Sequence, residues 1–282
     1  MIGGLSKKQI SLAALILVFV GSAASIRMSP GAFTAQGVPI GTKHDLRVPL
    51  VIQLDENSEK SIEFISEPLS PSEVRESWLD GYEEIPDPDY LIIDGEHPIV
   101  AHPDSPVVRR MFIEFPNDSS LLNRHFLVQL RVGPKKTEGV FQTVLIGSYL
   151  IETKSSVNRF THTGGEHLTI APSVLNLDSS GKGIIRVYNN DKIGRRFEII
   201  PKYVKNERAL TVNISGGFQE GDIDLVKTNP SNAKISPGGF IDVEIEYKPN
   251  TIEKDTEIIL WFEDPDLACC SRFCRIRLKK AP

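Results

Sequence analysis

The stretch Phe240–Tyr247, FIDVEIEY, decides the fold. Ile241, Val243, Ile245 and Tyr247 fall on one side of an extended chain, and Asp242, Glu244 and Glu246 fall on the other. A period of two is that of a β-strand with one dry face and one wet face. The same style continues in both directions. "HLTIAPSVLNL" (167–177), "GIIRVYNN" (183–190), "RRFEIIPKYV" (195–204), "ALTVNIS" (209–215) and "TEIILWFEDP" (256–265) are short apolar runs between Gly, Pro, Asn and Asp clusters. Upstream lie "HDLRVPLVIQL" (44–54), "SIEFISE" (61–67), "VVRRMFIEFP" (107–116), "HFLVQLRV" (125–132) and "VFQTVLIGSYLIET" (140–153). No segment keeps a 3.6-residue apolar period over three turns, which excludes a sizeable helix bundle.

Short strands punctuated by turn residues, several to each half, predict an all-β chain of two immunoglobulin-like β-sandwich domains in tandem. "KSSVNRFTHTGGEH" (154–167) is polar and carries Gly164 and Gly165, so the linker is placed at 156–166. The domains are then 26–155 and 167–282, and a single large barrel is the alternative architecture.

The chain opens with "MIGGLSKKQISLAALILVFVGSAAS". Lys7 and Lys8, an apolar run from Ile10 to Val20 and the small residues up to Ser25 make the three parts of a secretory signal peptide over 1–25. The run is short of the roughly 20 residues that span a bilayer, and no later stretch is long and apolar enough. Formal net charge is −5, and loss of the two lysines with the leader makes it more negative. A chain of this sign gains nothing from a phosphate backbone, so nucleic acid is excluded as a partner.

The three cysteines lie together in "ACCSRFC", as Cys269, Cys270 and Cys274. In an oxidising compartment clustered cysteines pair, and no histidine stands near enough to make this a zinc site. The flanking segments read as two strands of a terminal hairpin, so a bridge from Cys269 or Cys270 to Cys274 is expected to staple its turn. One thiol is left free.

One segment breaks the strand pattern. "SEVRESWLDGYEEIPDPDYLIIDGEH" (72–97) sets nine acids against one arginine between Glu73 and Glu96, with Trp78, Tyr82 and Tyr90 among them. It reads as a solvated insertion over a sheet edge, with a partner-docking loop as the alternative. Asp87, Asp89 and Asp94 match no regular calcium loop. His97 and His102 are five apart among carboxylates, yet exposed loop histidines are more often solvated than metal-bound. No metal and no cofactor is expected. Catalytic signatures such as G-x-S-x-G, H-E-x-x-H or a P-loop are absent, and the chain is read as non-enzymatic. Asn117 and Asn213 fit the glycosylation acceptor pattern, which matters only in a eukaryotic source.

The stretch 107–154 carries a basic strand into Pro116 and Asp118, then a loop, an alternating apolar strand and a long apolar strand. It resembles the first domain of the periplasmic chaperones of the chaperone–usher pilus pathway. "SIRMSPGAFTAQGVPIGTKHDLRVPLVIQ" (25–53) is similar to that family's opening, and the cysteine hairpin looks like the disulfide-bearing last hairpin of its second domain. "LTIAPSVLNLDSSGKGIIRVYNN" (168–190) also looks like the start of major-sperm-protein-like sandwiches. The resemblance implies a periplasmic protein that binds pilin-like or surface-fibre subunits by β-strand addition, with an outer-membrane usher as a further partner. Phe141, Thr143 and Leu145 would face the client, and Val140, Val144 and Ile146 the chaperone's own core. The family's carboxylate-anchoring arginine and lysine have Ser29 and Ser148 as nearest counterparts, with Arg27 and Lys154 close by in sequence. The alternative is a secreted structural or adhesive component of the cell surface, located extracellularly.

Overall fold

The computed structural model describes residues 26–54, 61–69, 81–103, 105–135, 143–158, 167–202, 218–249 and 254–280, the side chains of 268–270 excepted. The leader expected over 1–25, the start of the acidic insertion and Phe141 therefore lie outside the described residues.

The N-terminal half begins with β1 (Ile26–Ser29), β2 (Ala32–Val38), β3 (Lys43–Asp45), β4 (Leu50–Leu54) and β5 (Ile62–Leu69). It continues with β6 (Glu83–Glu84), β7 (Leu91–Ile93), β8 (Ile99–Ala101), β9 (Val107–Arg109) and β10 (Met111–Glu114). The half closes with β11 (His125–Pro134) and β12 (Leu145–Thr153). The C-terminal half contains β13 (Leu168–Ala171), β14 (Val174–Asn176), β15 (Lys182–Asn189), β16 (Arg195–Lys202) and β17 (Gln219–Glu220). It ends with β18 (Val226–Asn229), β19 (Asn232–Ile235), β20 (Phe240–Tyr247), β21 (Thr256–Asp264) and β22 (Leu267–Leu278).

In the first half a sheet in the order β2-β12-β11-β5-β8 faces two smaller ones, β1-β4-β9 and β3-β10-β7. Phe33, Ile52, Phe115, Phe126 and Tyr149 are buried between them. In the second half β13-β15-β20-β18 packs on β14-β22-β21-β16-β19 around Ile185, Phe197, Val243, Leu260 and Phe262. Each half is a sandwich with its own core, and the fold is all-β as the strand patterns require. β20 shows why: Val243, Ile245 and Tyr247 are buried while Asp242 and Glu244 are exposed.

Both halves start with the same device. β1 runs antiparallel to β4, and beyond Pro30 the chain crosses to the other sheet, where β2 runs parallel to β12. Likewise β13 pairs antiparallel with β15, and beyond Pro172 β14 runs parallel to β22. A proline has no N–H to give to a ladder, so the strand is interrupted there and can change sheets.

Two expectations need correction. The first is the cysteine staple. Cys274 is a free thiol, wholly buried. The hairpin turns at 265–266, so all three cysteines follow the turn on one strand, β22. Along an extended strand, residues four or five apart lie more than about 10 Å from one another, beyond the roughly 4.4–6.8 Å Cα separation of a disulfide. Cys274 instead points inward with Ile276 and Leu278, its Sγ 3.2 Å from the Pro172 carbonyl oxygen. Burial pushes its thiol pKa well up, since the thiolate cannot be solvated there. Native protein treated with a water-soluble thiol reagent should therefore leave Cys274 unmodified until the chain unfolds. Peptide mass mapping that finds Cys274 labelled under native conditions would contradict this placement.

The second correction concerns the acidic segment. Its described part is built into the fold instead of lying over it. β6 runs parallel to β11, Ile85 sits in the first core, and Tyr82 and Glu83 lie between the two halves. Asp87 caps a turn by accepting from the Asp89 amide at 2.9 Å, and Asp94 accepts from the Gly95 amide at 3.0 Å. His97 and His102 stand beside Ser66 and Ser61.

Candidate functional site

β12 has two neighbours along most of its length but one at its start. β11 accompanies it from Leu145, opposite Val132, to Glu152, opposite His125. β2 joins on the other side at Ser148, opposite Ala32, and the Ser148 amide donates to the Gly31 carbonyl at 2.8 Å. Before that point the chain has left for the other sheet through Pro30, so no described strand lies beside Leu145–Gly147 on that side. Backbone groups alternate in direction along a strand. Ser148 points its amide toward β2, so Ile146 points its N–H and C=O into the same vacated lane. This is an open sheet edge, the feature that templates pairing with another chain.

The side chains around the lane are apolar on both faces. Leu145 is half-buried against the first core, and Ile146 is 54% exposed on the outer face. Ile65, 45% exposed, lies on the same outer face, where Gly133 pairs with it and leaves room for Val144. Gly147 is needed at the floor of the lane: a Cβ there would stand 2.8 Å from the Tyr149 hydroxyl oxygen and 3.0 Å from its ring. That ring is wholly buried and packed 4.5 Å from Phe33, so it cannot give way.

These positions correct the expected assignment of faces. Leu145 turns toward the protein's own core with Tyr149 and Ile151, and Ile146 turns outward. The alternation was inverted because Val144 and Ile146 look no less core-like in sequence than Thr143 and Leu145. Thr143 is exposed at the start of the lane. Arg27 and Lys154 are not brought together. Arg27 is exposed on β1, opposite Gln53, whereas the Lys154 amide bonds the Val38 carbonyl past the far end of β2. The whole of β2 separates them, about 20 Å at a strand's rise.

The far end of β12 enters a joint between the halves that the sequence reading missed. Glu152 is buried and accepts two hydrogen bonds from Arg275 of β22, at 2.7 and 2.6 Å. It takes a third from the Tyr82 hydroxyl at 2.7 Å. Arg275 also donates to Glu257 at 2.7 Å; Arg277 bonds Glu257 at 2.6 Å and Gln36 of the first half at 2.7 Å. Burial acts to raise the Glu152 pKa, but the Arg275 charge and its hydrogen bonds outweigh it and the carboxyl is held below its ordinary value. Its contribution to stability is therefore complete above the ordinary carboxylate range and is lost as pH falls through the lower folded value. Beside this pair the His125 ring stacks on Phe273 at 3.9 Å and 7°. Asn123, in the left-handed region at φ 60°, accepts from the Ser156 and Ser173 amides at 2.8 and 3.0 Å and so ties the segment after β12 and the second half to the turn before β11. The alternation of Arg275 and Arg277 with Ile276 and Leu278 was the available signal for this face.

No protein-family profile and no curated protein matches the sequence. Among solved structures, a Porphyromonas gingivalis protein of unknown function is similar at 10% identity and TM-score 0.35, over 90% of this chain and 99% of that one. The E. coli chaperone DraB is similar at 8% identity and TM-score 0.31, over 91% of this chain and 97% of that one. The Pseudomonas aeruginosa CupB2 chaperone is similar at 9% identity and TM-score 0.30, over 39% of this chain and 54% of that one. These similarities are remote in sequence and in superposition. Among the described residues no helix is long and apolar enough to cross a membrane, and no group of three or more metal-ligating side chains occurs.

Proposed function

We propose that this protein is a non-enzymatic, periplasmic chaperone-like factor that holds pilin-like or surface-fibre subunits by β-strand addition and passes them to an outer-membrane usher. The vacated lane beside Leu145–Gly147 supports this reading. An incoming strand there would gain main-chain hydrogen bonds from Ile146 and apolar contacts on both faces, from Leu145 inside and from Val144 and Ile146 outside. Thr143, exposed just before β12, belongs to the surface offered to the client. The domain division at 156–166 and secretion through residues 1–25 belong to this proposal.

Ile146→Pro tests it. Proline removes the one N–H that faces the lane and is tolerated on an edge that no neighbour uses, so the pairing of β12 with β11 stays. Ile146→Thr keeps the N–H and controls for the lost side chain. Co-purification from the native cell envelope, followed by mass spectrometry, should recover a fibre subunit with the parent and with Ile146→Thr, and at least tenfold less with Ile146→Pro. Recovery of peptidoglycan or lipopolysaccharide alone would sink the proposal, and so would equal recovery by all three.

A further inference from the structure

The joint between the halves contains a buried titratable group that the strand-addition reading does not use. His125 is 4% exposed, and its Nε2 has no hydrogen-bond partner among the described residues. Its ring lies flat on Phe273 of the other half, with Tyr82 at 5.8 Å closing a further side. A neutral imidazole suits that position, because an aromatic stack needs no counter-charge. An imidazolium does not, since it must find acceptors for both N–H groups.

The charged groups that face His125 come from every element around it. β12 supplies Glu152 and β6 supplies Glu83; β22 supplies Arg272 and Arg275. Both carboxylates are already engaged: Glu152 by Arg275, and Glu83 by Arg124 and Arg272. A proton on His125 therefore sets a new cation in competition with three guanidiniums for two carboxylates. A narrow crevice lined by Gly81, Glu83, Thr169 and Arg272 reaches His125 between the halves and gives protons a route in.

We propose that this joint is an acid-opened latch, in which protonation of His125 breaks its stack on Phe273 and frees the two sandwiches to turn while each stays folded. The sign follows from the closed site. Burial lowers the His125 pKa to about 4, whereas in an opened joint it returns toward the ordinary value of about 6.5. Proton binding thus favours the open form, and increasingly so as pH falls from 6.5 toward 4. For these two values the opening equilibrium rises roughly twentyfold between pH 7 and pH 5.

The Ser173 amide reports on opening, because its bond to the Asn123 side chain crosses the joint. Its hydrogen exchange, followed by NMR in the full chain and corrected for intrinsic rate, should speed up about twentyfold from pH 7 to pH 5. In His125→Gln, which keeps a polar side chain without a titrating ring, the corrected rate should be flat over the same range. His125→Phe, which keeps the stack, should also be flat and serves if the first variant does not fold. A wild-type rate that does not change with pH overturns the latch. So does acceleration of the same size in either variant, which would move the titration to another group.

Discussion

Glu152→Leu is expected to lower stability by about 3–5 kcal/mol, the cost of leaving the buried Arg275 guanidinium without its main partner. For a chain of this size that is a fall of roughly 10 °C in Tm. The loss exceeds what a surface ion pair could give because both groups are almost completely withdrawn from water. Adding Arg275→Met should recover the part due to the unpaired guanidinium, but not the Tyr82 hydroxyl bond that both variants lose. The double variant replaces a charged pair with an apolar one, and Glu257 keeps Arg277 as a partner. Chemical denaturation of the parent, both single variants and the double variant closes the cycle. A Glu152→Leu protein within about 1 kcal/mol of the parent would mean that Arg275 finds water there, and the joint would then not be dry.

The contrast between β20 and β12 shows how far the sequence could be read. In β20 one face meets the core and the other meets solvent, so the alternation of Val243 and Ile245 with Asp242 and Glu244 displays the structure directly. In β12 the same logic fails because its outer face has two different neighbours along its length. Ile146 faces outward at the open end, whereas Leu150 and Glu152 on the same face are covered, Leu150 by Leu127 and Tyr82 and Glu152 by Arg275. Apolar residues on both faces therefore announced a second neighbour without saying which part of the strand it covers. Arg275 reads as a solvent-facing residue for a related reason. Its burial depends on Glu152, 123 positions away in the chain. The cysteine cluster misled in the opposite way. Proximity in sequence suggested a bridge, but three cysteines on one strand are separated by its rise, and Cys274 is spent on packing.

Gly81→Ala is expected to destabilise by about 2–4 kcal/mol, and Gly37→Ala by only about 1 kcal/mol. Both glycines have left-handed backbones, at φ +81° and +71°, so the conformational cost of a Cβ is similar at the two sites. They differ in what that Cβ would meet. At Gly37 there is nothing within 4 Å, whereas at Gly81 it would stand 2.6 Å from the Phe273 ring and 3.0 Å from the Trp261 ring. The Phe273 ring cannot retreat easily, because it is held between His125, Tyr82 and Trp261. The difference between the two variants thus measures how tightly the 81–85 segment is wedged against the second half, with the backbone term cancelled. If urea midpoints show Gly81→Ala to be no worse than Gly37→Ala, the rings have room to move. Tyr82 and Glu83 would then rest against the joint without holding it, and the acidic segment would regain its first reading as a covering loop.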